Sequence, residues 1–168
     1  MNECIFAGSF DPWHNGHEDR VKNALKIFDK VHIVILKNDK KKNFWFNVNE
    51  RKTLIEKSMI DYKDRVIVSC CEEKMLHDVC NDKKIFNVFR GIKAGRTLDE
   101  EIRIKIATNY MSKNEYNEEI LFVYDVTSED DFRGSSIIKA LAMHNKDFSS
   151  LVPPQIIDDI TKRAKEYK

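Results

Sequence analysis

The stretch AGSFDPWHNGHED, from Ala7 to Asp19, combines small, turn-forming and imidazole-bearing residues in a pattern that suits phosphate binding. It follows a short apolar run that ends at Phe6 and precedes residues with helical spacing. The N-terminus of a helix presents free N–H groups and a positive partial charge, and both attract phosphate. His14 and His17 add imidazole donors without a permanent charge. The stretch therefore predicts a phosphate-binding loop, and an ordinary turn with surface histidines is the alternative.

Other residues suited to anionic ligands also follow apolar, strand-like runs. The lysine run KNDKKK comes after Leu36, RGIKAGRTLDEE begins at Arg90, and TSEDDFRGSS contains Ser135 and Ser136. Because the carboxyl ends of parallel strands meet at one edge of a sheet, we expect these segments to converge there. A Walker A loop and a dinucleotide-binding G-x-G-x-x-G are both absent from the sequence. Taken alone, the lysines are equally typical of a solvated charge run, and the serines of an ordinary helix cap.

Alternating strand and helix patterns must position these segments. Five apolar runs predict strands: ECIFAG, KVHIVIL, RVIVSC, KIFNVF and EILFVYDV. Five stretches with helical spacing accompany them, and Asn47 followed by Glu50 predicts the cap of the second. The apolar residues that define the third helix are Ile102, Ile106, Tyr110 and Met111. This alternation predicts an α/β fold, a doubly wound, Rossmann-like parallel five-stranded sheet with helices on both faces, in a single domain over residues 1–168.

The composition of the chain argues against several classes of function. Among 168 residues, 29 Lys and Arg nearly balance 28 Asp and Glu, which argues against a nucleic-acid partner. No apolar run approaches the roughly 20 residues that span a bilayer, and the first residues lack the basic region of a secretory signal. Cys4, Cys70, Cys71 and Cys80 form neither a C-x-x-C pair nor a zinc-binding spacing. We therefore expect a cytoplasmic protein with free thiols, without a membrane partner or a metal site of its own.

Ordered motifs along nearly the whole chain resemble those of the phosphopantetheine adenylyltransferase family, one of the HxGH nucleotidyltransferases. GSFDPWHNGH is similar to the signature G-[ST]-F-D-P-x-[TH]-x-G-H, and KKKNFWFNVNERKTLI to a segment with paired lysines, Phe and Glu-Arg. FRGIKAGRTLDEE resembles R-G-[LI]-R-x-x-x-D-[FY]-x-x-E, and FRGSSIIK resembles [FI]-S-S-[ST]-x-x-[KR]. FSSLVPPQI resembles the C-terminal valine-proline segment of the family. The resemblance implies transfer of AMP from ATP to 4'-phosphopantetheine, giving dephospho-coenzyme A and pyrophosphate in coenzyme A biosynthesis. It also implies Mg²⁺ arriving with ATP and a homo-hexamer.

The resemblance implies roles for individual residues as well. His17 would contact the α-phosphate of ATP and stabilise the transition state, and one lysine of the run 40–42 would bridge the phosphates of the two substrates. Counting from His17 favours Lys41 as this catalytic lysine, whereas counting back from Phe46 favours Lys42. The residues implied in acceptor binding are Ser9, Lys41, Leu76 and Arg90. Those implied in ATP binding are Ser9, Phe10, His14, His17, Gly91, Lys93, Glu101, Ser135 and Ser136.

Some positions depart from the family pattern and leave other functions open. His14 stands where phosphopantetheine enzymes often carry Thr, Lys93 replaces an Arg, and Thr97 and Leu98 replace an Asp and an aromatic residue. These departures keep open another HxGH enzyme, either a nicotinate mononucleotide adenylyltransferase or a cytidylyltransferase. A non-catalytic, ATP-binding regulatory module is the alternative from a different class.

Overall fold

A central strand, β1 (Glu3–Gly8), divides its side chains between two separate cores. Cys4 and Phe6 are buried in one core, and Ile5 and Ala7 are buried in the other. This alternation is what a strand covered by helices on both faces requires. The computed structural model describes residues 1–37, 43–93, 98–127 and 133–167, and the side chains of Lys93 and Thr127 lie outside the described part.

Four more strands complete a fully parallel sheet around β1. They are β2 (Lys30–Ile35), β3 (Val66–Cys70), β4 (Asn87–Lys93) and β5 (Leu121–Thr127). The strand order is β3-β2-β1-β4-β5, and every pairing is parallel. The order reverses direction between β1 and β4, which is where ligands bind in open α/β sheets, beyond the carboxyl ends of the strands. The predicted five-stranded, doubly wound sheet is confirmed.

Helices cover both faces of the sheet, and six of them lie within the described ranges. On one face are α1 (Asn15–Ala24), α2 (Val48–Ser58), α5 (Ser135–Met143) and α6 (Ile157–Glu166), which share a core with Phe6. On the other face are α3 (Leu76–Lys83) and α4 (Leu98–Tyr116). None of these helices has both the length and the apolarity needed to cross a membrane. Helix α3, only 8 residues long, is one that the apolar spacing did not predict.

The cap predicted for α2 is confirmed. The side chain of Asn47 accepts a hydrogen bond from the backbone N–H of Glu50 at 3.0 Å, and the Glu50 carboxylate accepts one from the N–H of Asn47 at 2.8 Å. This reciprocal arrangement satisfies two N–H groups that the first turn of a helix otherwise leaves without partners.

The helix predicted from Ile102, Ile106, Tyr110 and Met111 is confirmed as α4, and most of these apolar residues lie on its exposed side. Ile102, Ile106 and Tyr110 are 40%, 63% and 69% exposed, whereas the buried positions of the helix include Thr108 and Ser112. Helical spacing identifies which residues share a face, but the neighbouring elements decide which face is buried. Here α4 turns polar and small residues towards the sheet and leaves an apolar face uncovered.

Candidate active site

The loop after β1 is held in shape by aromatic packing. Phe10 has a positive φ of 48°, which is uncommon for a residue with a side chain, and its ring is 3% exposed. The ring packs edge-on against Trp13 and His17, with ring centroids 5.2 Å and 5.0 Å away. A Cβ on Gly8 would lie 2.8 Å from the Phe10 ring, so only glycine fits there. The loop therefore turns sharply between β1 and α1 around one buried phenyl ring.

Two imidazoles lie together at the start of α1. His14 precedes the first helical residue, Asn15, and His17 belongs to the first turn. Their rings stack with centroids 3.6 Å apart, and His14 is buried while His17 is half-buried. A Cβ on Gly16 would lie 3.0 Å from the His14 ring, so this glycine makes room for the stack. The arrangement places both histidines at the N-terminus of a helix, as the sequence predicted.

The N-terminus of α5 lies against the same loop. The Ser135 hydroxyl donates to the carbonyl of Pro12 at 2.9 Å, and the Arg133 guanidinium pairs with the carboxylate of Asp19 on α1. The N-cap of α5 is Gly134, so Ser135 and Ser136 are the first two helical residues rather than an ordinary side-chain cap. Two helix N-termini therefore lie near the same loop, and anions are stabilised at such ends.

A buried carboxylate, which motif reasoning did not single out, connects this loop to the segment before α2. Asp11 is 1% exposed and accepts hydrogen bonds from the backbone N–H groups of Trp45 and Phe46, each at 3.0 Å. It also pairs with the ammonium group of Lys139 on α5. One side chain thus connects the loop after β1, helix α5 and the residues that follow the lysine run.

Arg51 on α2 performs a similar connecting role. It is 2% exposed and donates to the carbonyls of Ser9 at 2.8 Å and of Phe46 at 3.1 Å. A further nitrogen pairs with Glu72 at 2.6 Å. Because the fork of a guanidinium holds several acceptors in fixed directions, Arg51 fixes the backbone on which Ser9 sits.

A cleft of about 730 Å³ opens beyond the carboxyl ends of β1 and β4, on the face covered by α3 and α4. We call it the α3–α4 cleft. Its lining combines polar and apolar residues and includes Ser9, Leu76, Arg90, Thr108 and Met111. The three described residues that the resemblance implies in acceptor binding, Ser9, Leu76 and Arg90, are therefore brought together in one cleft.

Arg90 and Glu101 form a bidentate ion pair at the edge of this cleft. Nε and Nη2 of Arg90 donate to the two carboxylate oxygens of Glu101, each at 2.9 Å, and the Glu101 side chain is 2% exposed. The Tyr124 hydroxyl donates to the Glu101 carbonyl at 3.4 Å. Burial, and next the nearby Glu101 charge, raise the pKa of Tyr124 above its usual value. Two residues predicted to serve different substrates thus contact each other.

Gly91 faces the opposite side of the sheet. A Cβ there would lie 1.9 Å from Nε of Arg20, a buried residue of α1. The guanidinium of Arg20 donates to the Asp125 carboxylate and carbonyl, each at 3.0 Å, and Asn23 donates to the same carboxylate at 3.1 Å. The missing side chain of Gly91 therefore admits Arg20, which joins α1 to the carboxyl end of β5.

One cluster of possible metal ligands lies within the described residues. His77 Nε2 is 3.3 Å from a Glu115 carboxylate oxygen and 3.5 Å from one of Asp78. Both Asp78 oxygens already accept hydrogen bonds, from the Tyr116 hydroxyl at 2.7 Å and from the Met75 N–H at 3.0 Å. Burial alone would raise the pKa of Asp78, but these bonds together with the neighbouring His77 and Lys74 lower it. The cluster is best described as a polar connection between α3 and α4.

Some predicted site residues cannot be placed. Lys40, Lys41 and Lys42 lie outside the described residues, and so does the side chain of Lys93. The described ends of the lysine segment are Lys37, which lines the α3–α4 cleft, and Asn43. The choice between Lys41 and Lys42 stays a prediction.

Comparisons with known proteins assign this chain to a family. Residues 5–140 match the family model described as cytidylyltransferase-like. The fold and the match define the chain as a nucleotidyltransferase. The phosphopantetheine adenylyltransferase of Fusobacterium nucleatum is 34% identical over 173 residues, covering 100% of this chain and 99% of that protein. The corresponding enzyme of Campylobacter curvus is 36% identical and covers 91% of this chain and 94% of its own length. The chain belongs to the phosphopantetheine adenylyltransferase family.

Solved structures agree on the fold. A putative nicotinate-nucleotide adenylyltransferase from Vibrio parahaemolyticus superposes with a TM-score of 0.64 at 18% identity, covering 95% of this chain and 99% of that one. A bifunctional NMN adenylyltransferase/ADP ribose pyrophosphatase from Francisella tularensis gives a TM-score of 0.68 at 18% identity, covering 99% of this chain and 52% of that one. At this identity the likeness extends to the fold alone.

Proposed function

We propose that this protein transfers AMP from ATP to 4'-phosphopantetheine, giving dephospho-coenzyme A and pyrophosphate. The observation that carries the proposal is the α3–α4 cleft. It brings Ser9, Leu76 and Arg90 together at the point where the strand order reverses. The cleft offers a cation for a phosphate and apolar surface from Leu76 and Met111 for a carbon chain. That combination fits an elongated acceptor with a phosphate at one end.

The strand alternation of β4 supports a division between the two substrates. Arg90 points to the α3–α4 side and Gly91 to the α1 side. His17 and the first turn of α5, with Ser135 and Ser136, belong to the α1 side as well. ATP would place its phosphates at these helix N-termini, and the acceptor phosphate would approach from the cleft. The carboxyl edge of the sheet is the place where the two would meet.

AMP transfer requires mainly that the two substrates are aligned and that negative charge on the transferring group is neutralised. An oxygen of the acceptor phosphate attacks the α-phosphorus of ATP, the new P–O bond forms, and the bond from the α-phosphorus to the bridging oxygen breaks. Pyrophosphate leaves with its Mg²⁺, which enters as part of the MgATP substrate. A phosphate monoester with a second pKa near 6 is already mostly dianionic at neutral pH, so the attack needs no general base. His17 and the helix N-termini would stabilise negative charge on the transferring group, and Lys41 or Lys42 would add a cation.

Further proposals concern the setting of the reaction. The uncovered apolar face of α4, with Ile102, Ile106 and Tyr110, supports a homo-oligomer, and the family resemblance implies a hexamer. Four free cysteines support a reducing cytoplasm. The near balance of 29 basic and 28 acidic residues supports small-molecule partners rather than nucleic acid.

The decisive experiment measures pyrophosphate release with a panel of acceptors. MgATP is offered with 4'-phosphopantetheine or with nicotinate mononucleotide, and MgCTP is offered with glycerol 3-phosphate. We expect release with phosphopantetheine alone. Release with another acceptor would contradict the proposed substrate but keep the nucleotidyltransferase class. Binding of ATP without release in any reaction would favour a regulatory module instead.

A further inference from the structure

The imidazole of His17 contacts three aromatic rings. The ring of Trp13 stacks on it, with centroids 5.1 Å apart and planes 30° from parallel. The ring of His14 stacks on it at 3.6 Å and 27°, and Phe10 meets it edge-on at 5.0 Å and 89°. Two roughly parallel rings and one perpendicular ring therefore define the plane of the imidazole.

These contacts matter because a histidine ring turns easily about its bond to Cβ. That torsion lacks the three narrow minima of aliphatic side chains, so the neighbours of the ring set its orientation. The proposed function places the imidazole of His17 beside the α-phosphate of ATP, which requires a fixed orientation. Functional groups are held within about 0.5 Å of the productive geometry only where packing locks their rotamers. The rings around His17 provide such packing.

Trp13 differs from the other two partners in how it can affect the reaction. It is 0% exposed and belongs to the core that also contains Phe6, so a ligand cannot contact it without a rearrangement. His14 and Phe10 are themselves implied in binding ATP by the family resemblance. Trp13 can therefore influence AMP transfer only through the residues on which it packs.

Filling the core does not by itself account for a tryptophan at this position. The indole N–H of Trp13 is buried, and no acceptor for it lies among the described residues. A buried donor without a partner lowers stability, and a leucine would occupy the core without that cost. What a leucine would lack is a flat face to stack on His17.

We propose, on the basis of the function proposed above, that Trp13 is a positioning residue for His17. Its indole fixes the plane of the imidazole, so that the ring is already oriented towards the α-phosphate when ATP binds. Because a small misalignment of a reacting group slows a reaction strongly, Trp13 acts on the rate of AMP transfer. Its effect on the affinity for ATP is small, since it does not contact the nucleotide.

Two substitutions separate the flat face of Trp13 from its bulk. Trp13→Phe keeps an aromatic ring, whereas Trp13→Met fills space with a flexible side chain that has no flat face. Both remove the indole N–H. We expect the kcat of Trp13→Met to lie about tenfold or more below that of Trp13→Phe. The dissociation constants for MgATP, measured by calorimetric titration, should agree within about twofold. Equal kcat values would overturn the inference, and so would a loss confined to the affinity for MgATP.

Phe28 provides a matched control in the same core. It is 4% exposed, and its ring meets that of Phe89. Phe28→Met therefore repeats the exchange of a phenyl ring for methionine at a site outside the loop after β1. It should lower the Tm and leave kcat within about twofold of wild type. A fall in kcat as large as that between the two Trp13 variants would point to general loosening of the core and refute the positioning role.

A double-mutant comparison shows whether the effect passes through His17. In the His17→Ala background, Trp13→Met and Trp13→Phe should have kcat values within about twofold of each other. A tenfold difference there would refute the inference. If circular dichroism shows that Trp13→Met is unfolded, Trp13→Leu takes its place, since leucine also lacks a flat ring.

The choice of acceptor keeps this inference distinguishable from the proposed function. If wild type releases pyrophosphate with another acceptor of the panel and not with phosphopantetheine, the same comparisons are made with that acceptor. The proposed substrate is then wrong, and the role of Trp13 is still decided by the kcat values. Wild type that is inactive with every acceptor would refute both.

Discussion

The buried carboxylate of Asp11 offers the sharpest test of how the loop after β1 is held. We predict that Asp11→Asn destabilises the protein far more than the same change at Asp159. Both aspartates pair with a lysine, but Asp11 is 1% exposed and its partner Lys139 is 20% exposed, whereas Asp159 and Lys57 are 35% and 45% exposed. The two variants therefore test the same type of ion pair, aspartate with lysine, at two degrees of burial.

The magnitude follows from the contacts that are lost. An asparagine keeps one carbonyl oxygen, so one of the two N–H groups of Trp45 and Phe46 loses its acceptor and faces an NH₂ group. A buried N–H without a partner costs about 1–3 kcal/mol. Lys139 also loses its counter-charge, and breaking a buried pair costs about 3–5 kcal/mol. Because the two costs overlap, we expect about 4 kcal/mol for Asp11→Asn, against about 0–1 kcal/mol for the exposed Asp159→Asn.

Urea denaturation of wild type and the two variants, followed by far-UV circular dichroism, gives the free energies of unfolding. A double variant, Asp11→Asn with Lys139→Met, should recover part of the loss, because it removes the uncompensated charge. Turnover of Asp11→Asn should also fall, since Trp45 lies only three positions after Lys42, in the run that is predicted to carry the catalytic residue. If Asp11→Asn and Asp159→Asn lower the unfolding free energy equally, the reasoning from burial is refuted.

Four further predictions follow from the site and the fold. His17→Ala should lower kcat by about 10²–10³ while a titration still detects ATP binding, and near-normal turnover would exclude a catalytic role. Gly91→Ala should destabilise the protein by about 3 kcal/mol or more, because its Cβ would lie 1.9 Å from Nε of Arg20; thermal unfolding measures this, and an unchanged Tm would contradict it. Burial raises the pKa of the Cys80 thiol from 9.0 to about 12, so the unfolded chain ionises first and stability falls as pH rises through that range. In urea titrations at a series of pH values, Cys80→Ala should weaken the fall of the unfolding free energy with pH. An unchanged fall would contradict the raised pKa of Cys80. Ile106→Glu on the uncovered face of α4 should reduce the sedimentation coefficient of the assembly, and a stable wild-type monomer at micromolar concentration would refute the oligomer.

Much of the fold was predictable because it depends on patterns of residues that are close together in the sequence. Each of the five apolar runs overlaps one of the five strands, although β4 continues past its run to Lys93 and so contains Arg90. The cap formed by Asn47 and Glu50 is present with both of its hydrogen bonds. The sharp loop after β1 was predictable because Gly8, His14 and His17 combine in a short stretch after a strand. Each of these features depends on residues a few positions apart, so the sequence alone contains the information.

Features that depend on neighbours distant in sequence were not predictable in this way. The outward direction of the α4 apolar face is one example, since helical spacing marks a stripe of residues but not what covers it. The contact between Asp11 and residues 45–46 joins parts of the chain more than thirty positions apart. No local pattern encodes such a distance, because it is set by how β1 and α2 are placed by the sheet.

By itself, the sequence of this protein determined the order of its strands and the resemblance to its family. Only the tertiary structure decided that Arg90 meets Glu101 on one face of the sheet while Gly91 admits Arg20 on the other. The physical reason is the alternation of side chains along a strand, which sends neighbours to opposite faces. What each residue then meets depends on which helices the strand order brings to those faces. Those neighbours, rather than the motif, determine which groups each side chain contacts.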